Sequence, residues 1–362
     1  MKPAAPKADK KRVFMTGNEA LAEGAVRAGC RFYFGYPITP QNEIPAYMAK
    51  HLPECGGVFI QAESELAAIN MVLGASATGA RAMTSSSSPG ISLKQEGISY
   101  LAGCQLPAVI ANIQRGGPGL GSIDPSQGDY FQATKGGGHG DYRTIVLAPM
   151  SVQEMHDFAI EAFRLADKYR VPTVILADGR LGQMMEPIYL HRGPPPPAPP
   201  KRWALTGAKG RKPNSIRSLL VQEGELEKHN YKLQECYRAI ARQEARHEEM
   251  HADNCDLLVA AWGTCARIAK GAMLAARARG LKVGLYRPIT LWPFPARRLA
   301  GIARKAKAIL VAEMNCGQML EDVRMASGGA AKIFFSGYPG GRVPAESDIL
   351  RAICAIAKKI KK

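Results

Sequence analysis

Apolar residues fall along this chain in short unbroken runs, separated by stretches where apolar positions recur every three or four residues. In the first half the runs lie at 31–35, 58–61, 82–85, 108–114, 144–148 and 171–177. Gly, Pro or Ser bounds each run, and continuous apolar strands of this kind belong in a parallel sheet covered on both faces. Helical spacing fills the gaps at 18–28, 65–78, 92–102 and 151–169. The last opens Ser151-Val152-Gln153-Glu154, which reads as a capping box with Ser151 as cap. Strand–helix alternation with crossover-length connections predicts a doubly wound parallel-sheet α/β fold.

The pattern then breaks at Pro194-Pro195-Pro196-Pro197-Ala198-Pro199-Pro200, which reads as a stiff polyproline spacer. Residues 223–251 are strongly charged with a helical look, and Leu226, Leu233, Tyr237 and Ile240 give a sparse apolar stripe. That stripe suits packing on another surface rather than forming a core. From Cys255 the alternation resumes, with strands at 257–262, 282–288, 308–314 and 332–336 and helices at 266–279, 296–305, 318–326 and 346–358. The expected division is a disordered basic tail at 1–12, a larger α/β domain at 13–190, a Pro-rich linker and charged excursion at 191–254, and a smaller α/β domain at 255–362.

Composition narrows the partners. No run of ~18 apolar residues occurs, so no membrane-spanning helix is expected, and the Lys/Ala/Pro-rich N-terminus lacks the apolar segment of a secretory signal. The eight Cys are scattered with no Cys-x-x-Cys pair, which argues against zinc or an iron–sulfur cluster held by this chain. Reduced, mostly buried thiols in a cytoplasmic protein are the expectation. The net charge of +17 is spread over tails, helix surfaces and linkers rather than clustered with aromatics, which argues against a nucleic-acid partner. It suits steering of acidic partners.

Candidate chemistry sits at strand ends. Pro37 and Pro40 restrict the backbone on either side of Thr39, just after the run ending at Gly35, where open α/β sheets collect ligands. Glu63 and Glu65 follow the second run and enter an Ala-rich helix. A carboxylate there either complements the helix dipole or is held dry for proton chemistry. Arg115 ends the fourth run, and its guanidinium suits a bidentate carboxylate ligand. The loop Gly116-Gly117-Pro118-Gly119-Leu120-Gly121 fits neither a P-loop nor a dinucleotide fingerprint. It reads as a flexible active-site loop, with Asp124, Ser126, Gln127 and Asp129 as cleft-lining candidates. His139, in a Gly-rich loop without a carboxylate at ligand spacing, reads as a surface residue.

The segments Gly17-Asn18-Glu19-Ala20, Gly35-Tyr36-Pro37-Ile38-Thr39-Pro40, Glu63-Ser64-Glu65, Pro89-Gly90 and Gln114-Arg115-Gly116-Gly117-Pro118 together resemble the alpha subunit of 2-oxoacid:ferredoxin oxidoreductases. Downstream, Tyr286-Arg287-Pro288-Ile289-Thr290-Leu291-Trp292-Pro293 and Glu313-Met314-Asn315-Cys316-Gly317-Gln318 resemble that subunit's second domain. Within the family the chain looks most like the branched-chain, 2-oxoisovalerate branch. The resemblance implies a thiamine-diphosphate pyrimidine-type domain followed by a transketolase C-terminal-like domain. It implies oxidative decarboxylation of a 2-oxo acid to acyl-CoA, with electrons passed to ferredoxin. It places Glu65 against N1′ of the cofactor's aminopyrimidine, with Glu63 as the alternative and the small residues Gly74-Ala75 favouring Glu65. Thr39 and Arg115 would bind the substrate, and Pro37, Pro89 and Gly90 would border the cofactor.

The same resemblance implies partner chains. The Gly-Asp-Gly…Asn motif that holds a metal-bound diphosphate is missing, because Asp178-Gly179-Arg180 runs into the proline stretch. Thiamine diphosphate would be shared with a beta subunit carrying the diphosphate site, with Mg2+ and [4Fe-4S] clusters on partner subunits, including ferredoxin-like gamma and delta chains. This chain itself would hold no metal and would be inactive alone. Ser86-Ser87-Ser88-Pro89-Gly90 departs from the family's Thr-Ser-Gly-Pro-Gly, and Ser88, which removes backbone freedom, is expected to narrow the cofactor-side loop or to shift substrate preference. Asn315, Cys316 and Gln318 stand as candidates for CoA contact or for simple loop packing. Rival readings are the same chemistry on 2-oxoglutarate, pyruvate or an aryl pyruvate, a stand-alone transketolase-like synthase, and a non-catalytic basic binding module.

Overall fold

The computed structural model describes residues 12–361. The expected basic tail lies outside them except for Arg12, whose guanidinium rests 4.9 Å from the centroid of the Tyr189 ring. The first half contains strands β1 Val13–Thr16, β2 Phe32–Gly35, β3 Val58–Gln61, β4 Ala82–Ser86, β5 Ala108–Gln114, β6 Ile145–Leu147, β7 Pro172–Asp178 and β8 Met185–Ile188. Its helices are α1 Gly17–Arg27, α2 Glu43–His51, α3 Glu65–Ala77, α4 Ser88–Gly103, α5 Tyr130–Lys135, α6 Val152–Tyr169 and α7 Gly179–Gln183. The second half adds α8 Glu225–Gln243, β9 His247–Met250, β10 Leu257–Ala260, α9 Gly263–Ala278, β11 Val283–Pro288, β12 Thr290–Trp292, α10 Ala296–Ala303, β13 Ala308–Glu313, α11 Met319–Ser327, β14 Lys332–Gly337 and α12 Glu346–Lys361.

The larger sheet runs β12-β6-β7-β5-β4-β2-β3, parallel except for β12. All residues of β4, β5 and β7 are buried, as expected of central strands of a parallel sheet covered on both faces, polar Thr84, Ser85, Ser86, Asn112 and Gln114 included. The smaller sheet runs β14-β13-β10-β11-β9, and only β9 is antiparallel. Two edge strands join their sheet from outside its main run of sequence. β12, which directly follows β11, leaves the second sheet and closes the edge of the first against β6. β9, from the charged middle segment, pairs with β11 at the edge of the second. A two-stranded antiparallel ribbon, β1 with β8, completes the first half.

Local sequence explains most helix limits. Thr16 and Glu19 form a reciprocal capping box at α1: the Glu19 amide donates to Thr16 Oγ1 (3.2 Å) and the Thr16 amide donates to Glu19 Oε2 (2.9 Å). At α6 the box is only half formed. Ser151 Oγ accepts from the Glu154 amide, but Glu154 Oε2 takes the amide of Met150, at 2.8 Å, not that of Ser151.

Two expectations for the middle segment are corrected. The helical look of 223–251 ends at Gln243, and the chain then extends into β9. Leu233, Tyr237 and Ile240 of the apolar stripe are buried, whereas Leu226 at its start is exposed. The proline run is not a free spacer. Arg27 Nη1 donates to the His191 carbonyl (2.6 Å), Arg81 Nη2 to the Pro196 carbonyl (2.6 Å), and Lys201 pairs with Asp167 at 2.6 Å. A polyproline II chain has no internal hydrogen bonds, so its carbonyls are open to such cations. Of the eight free cysteines only Cys30, Cys255 and Cys265 are buried, fewer than expected. No described helix is long and apolar enough to cross a membrane.

Candidate active site

Strands β2, β3, β4, β5 and β7 are parallel, so the segments that leave them gather at one end of the sheet. These are the segments singled out in the sequence. After β2, the Thr39–Pro40 peptide is cis and Thr39 is half-buried. The turn is held from behind: Asn18 Nδ2 donates to the Pro40 carbonyl (2.9 Å) and to Glu43 Oε2 (2.7 Å). Beneath it lies a buried relay in which Tyr33 Oη donates to Ser85 Oγ (2.6 Å), and Ser85 Oγ donates to Gln41 Oε1.

After β3, Ser64 caps α3 by accepting the Ala67 amide at 3.1 Å, which makes Glu65 the first helical residue. Glu63 is exposed, whereas Glu65 is 5% exposed. The Glu65 carboxylate lies against Gly90 in the first turn of α4. A Cβ on Gly90 would collide with Glu65 Oε1 and Ser86 Oγ and would lie 2.8 Å from Glu65 Cγ. Glycine at this position leaves the space that the carboxylate occupies. The hydroxyl of Ser86 is buried beside it, and those of Ser86 and Ser87 have no hydrogen-bond partner among the described residues. Pro89 sits in the first turn of α4, where a missing N–H costs nothing. Pro37 is exposed on the β2 loop.

Arg115 joins two of these segments. Its Nη1 donates to the Thr39 carbonyl (3.1 Å) and its Nη2 to the Leu120 carbonyl (3.3 Å). The guanidinium is 8% exposed, and its Nε has no partner among the described residues. Thr39 and Arg115 are therefore neighbours, and three of the five guanidinium N–H groups, the buried Nε among them, remain without a partner among the described residues.

The expectation for Ser88 is corrected. Ser88 is the first residue of α4, with ordinary helical backbone, so it neither strains nor narrows a loop. Its Oγ donates to Asp129 Oδ2 (2.6 Å) and accepts the Arg115 amide (3.1 Å). Asn112 Nδ2 also donates to Asp129 Oδ2, at 2.8 Å. Burial pushes the Asp129 carboxyl above its usual range, against these hydrogen bonds, which lower it.

Other expected site residues serve the join between the two halves. Gln127 takes the Met314 amide on Oε1 (3.0 Å), gives its own amide to the Met314 carbonyl (3.0 Å) and bonds the Trp262 carbonyl through Nε2 (2.9 Å). Asn315 Nδ2 donates to the Gln127 carbonyl (2.8 Å), and Gln318 Oε1 accepts the Phe131 amide (2.8 Å). Ser126, Gln127, Asn315 and Gln318 are thus joint residues rather than cleft lining, and Cys316 alone of the CoA candidates is exposed. Asp178 caps α7 through the Arg180 and Leu181 amides (3.0 and 3.2 Å) and accepts Thr264 Oγ1 (2.9 Å), so its oxygen is already engaged. The loop at 116–124 is tied to itself through Gly116 and Asp124 (2.9 Å) and leaves Leu120 81% exposed. His139 is exposed and meets the edge of Tyr100.

One group escaped sequence reading. Lys94 of α4 is fully buried one turn beyond Gly90, and its Nζ donates to the Glu65 carbonyl at 3.4 Å. Lysine in a helical pattern reads as surface, and only its four-residue spacing from Gly90 pointed inward.

Fold and site together define a class: a two-sheet α/β protein that gathers a buried carboxylate, a half-satisfied guanidinium and a hydroxyl at the carboxyl ends of one parallel sheet. Residues 23–251 match the family described as pyruvate flavodoxin/ferredoxin oxidoreductase, thiamine diphosphate-binding, and residues 255–349 match pyruvate:ferredoxin oxidoreductase core domain II. Ketoisovalerate oxidoreductase subunit VorB of Methanothermobacter marburgensis is 50% identical over 341 residues, covering 94% of this chain and 97% of its own. The solved 2-oxoglutarate:ferredoxin oxidoreductase of Magnetococcus marinus, with 2-oxoglutarate, coenzyme A and succinyl-CoA bound, superposes with a TM-score of 0.86 at 28% identity, covering 96% of this chain and 66% of that one. A split-gene transketolase shares the fold alone, at a TM-score of 0.60 and 14% identity over 96% of this chain and 99% of its own. The chain belongs to the 2-oxoacid:ferredoxin oxidoreductase family.

Proposed function

We propose that this chain is the subunit that carries the pyrimidine side of the thiamine diphosphate site in a multi-subunit oxidoreductase converting a branched-chain 2-oxo acid, CoA and oxidised ferredoxin into acyl-CoA, CO2 and reduced ferredoxin. The observation that carries the reading is the meeting of Glu65 with the space left by Gly90. The unpartnered hydroxyl of Ser86 beside the carboxylate fits a polar ring placed against it. When bound, thiamine diphosphate supplies the nucleophilic carbon and the electron sink that decarboxylation of a 2-oxo acid needs.

The chain's own residues then have distinct tasks. Glu65 holds a proton against N1′ of the pyrimidine in a dry setting, which is general acid–base work. Pro37 and Pro89 fix the two loops that border the ring. The Arg115 guanidinium and the Thr39 side chain bind and orient the substrate carboxylate, since a guanidinium that spends only two of its five N–H donors within the chain suits a charge-assisted hydrogen bond. Asp178 is committed as a helix cap, which supports assigning the diphosphate and Mg2+ to a beta subunit. The [4Fe-4S] clusters would sit on ferredoxin-like partner chains.

The substrate branch rests on the ketoisovalerate-named relative, against a 2-oxoglutarate-named structure at lower identity. The deciding experiment is turnover of the complex co-expressed from its neighbouring subunits, with 2-oxoisovalerate, pyruvate or 2-oxoglutarate, CoA and a one-electron acceptor. Preference for 2-oxoisovalerate is expected. Preference for another acid would move the branch, and no CoA-dependent reduction from an intact complex would end the enzyme reading. In the same assay Arg115→Ala is expected to raise the KM for the 2-oxo acid at least about tenfold, the loss of a charge-assisted hydrogen bond worth ~1.5–3 kcal/mol. An unchanged KM would remove Arg115 from substrate binding.

Gly90→Ala tests the space itself. The added methyl overpacks a filled site, at a typical cost of about 1–3 kcal/mol. Relief comes by moving Glu65 or Ser86, so thiamine diphosphate affinity is expected to fall at least about tenfold. Wild-type affinity in the alanine variant would show that the cofactor does not need this geometry.

A further inference from the structure

The α3–α4 seam contains an amine for which folding gives no reason. On α4, Gly90, Lys94 and Gly97 stand at positions i, i+4 and i+7, so they form one stripe. That stripe faces Glu65 and Ile69 of α3. Gly90 gives room to the Glu65 carboxylate, and Gly97 lets Ile69 come so near that a Cβ on it would lie 2.5 Å from Ile69 Cγ2. Two glycines thus draw the helices together, and Lys94 is sealed between them with no exposed surface.

A lysine ammonium has three donors. Among the described residues Lys94 makes one hydrogen bond, the long 3.4 Å contact with the Glu65 carbonyl. Burying a charge so poorly satisfied opposes folding. Burial pushes the amine down to about 8, and the one charge acting against that shift is Glu65. No other ionisable group from α3, α4 or the neighbouring strands acts on it among the described residues. An apolar side chain of similar length, such as methionine, would fill the seam without this cost. What the seam gains from lysine is a positive charge one helical turn behind the Glu65 carboxylate.

We propose that Lys94 is a positioning residue: its ammonium holds the first turn of α3 through the Glu65 carbonyl and gives the Glu65 carboxylate the counter-charge it works against. The inference rests on the assignment of Glu65 above. It adds that the carboxylate is set from behind, by a group that touches neither substrate nor cofactor.

The variants are Lys94→Met, which removes donor and charge, and Lys94→Gln, which keeps a donor for the carbonyl and removes only the charge. Three measurements separate position from structure. The first is thermal melting of the isolated chain against pH. The folded amine lies below its unfolded value, so the unfolded chain binds the extra proton between pH ~8 and ~10.5, and wild-type stability rises with pH across that window. Lys94→Met is therefore expected to melt at or above wild type at pH 7, with the difference shrinking toward pH 10.5. The second is calorimetric titration of the assembled complex with thiamine diphosphate in Mg2+ buffer, where both variants are expected to bind at least about tenfold more weakly. The third is the rate–pH profile. Wild type is expected to lose kcat as pH rises through about 8, where the ammonium loses its proton. Both variants are expected to be slow throughout, without that limb and with the KM for the 2-oxo acid unchanged.

Variants that melt well below wild type at every pH, yet bind cofactor and turn over normally per folded chain, would make the lysine structural. Variants with wild-type cofactor affinity and an unaltered alkaline limb would overturn the proposal outright. Glu65→Gln assayed alongside keeps the two assignments apart. If it retains full activity the Glu65 reading fails first, whereas if it is inactive and the Lys94 variants are normal, only this inference fails.

Discussion

Glu65→Gln is expected to lower kcat of the assembled complex by ~10²–10⁴-fold, the range over which a positioned acid–base group contributes. Glutamine matches glutamate in shape, so the packing against Gly90 survives and the Ser64 cap on α3 is untouched. The stability cost comes from the lost interaction with the helix dipole, about 0.3–1 kcal/mol, and from the counter-charge that the buried Lys94 ammonium loses. Above pH ~8, where that amine is neutral, melting of the isolated chain should change little, while turnover of the complex collapses. Glu63→Gln is the matched control: Glu63 is exposed and precedes the helix, so near-wild-type rates are expected. The reverse pattern, with Glu63→Gln inactive and Glu65→Gln active, would sink the assignment.

The second large effect is on stability. Arg287 is 1% exposed on β11, and both of its terminal nitrogens donate to Glu154 Oε1 at 3.0 Å, with Glu248 Oε2 3.3 Å away. Glu154 heads α6, so this ion pair fastens the second sheet to a helix of the first half. Arg287→Ala leaves a cavity and an unpaired carboxylate. Removing one partner of a fully buried pair costs about 3–5 kcal/mol, and the 23% exposure of the Glu154 side chain brings the expectation to about 2–3 kcal/mol. Urea unfolding of the isolated chain reads it directly. A loss under ~0.5 kcal/mol would show that the fastening lies elsewhere, with Gln127 and its bonds to Met314 and Trp262 the next candidate.

Most strands of the parallel sheet were readable because they are short apolar runs between turn residues; β4, Ala82-Met83-Thr84-Ser85-Ser86, is the polar exception. The sequence concealed three kinds of element. α2 was missed because Pro45 sits within it, although proline in a first turn breaks no helical bond. β9 was hidden by its composition, His247-Glu248-Glu249-Met250, which no strand propensity favours and which pairing at a sheet edge supplies. β12 was hidden by continuity with β11, since a change of sheet leaves no trace in hydrophobicity. At the site, Glu65, Thr39 and Arg115 were legible as residue types at strand ends. The contacts they make were not, because the packing of Glu65 on Gly90 and the bond from Arg115 to the Thr39 carbonyl join segments far apart in the chain. Ser88 was misjudged since the missing glycine was weighed as lost freedom, whereas the hydroxyl anchors Asp129. Ser126, Gln127, Asn315 and Gln318 were misplaced because polar loop residues at a domain join carry the same signature as those lining a cleft.

The exchange of edge strands has a bearing on how this chain can be cut. A break near residue 254, where composition suggests a seam, would strand β9 with the first half and β12 with the second. Each fragment would carry a strand that belongs to the other and would show β6 or β11 as a raw edge, the feature that invites aggregation. Excised halves should therefore be insoluble apart and recoverable only when made together. A viable dissection would have to move His247–Met250 to the second piece and return Thr290–Trp292 to the first. Thr290–Trp292 lies between β11 and α10, so no single cut can make the second transfer, and the two halves can only be made as one chain.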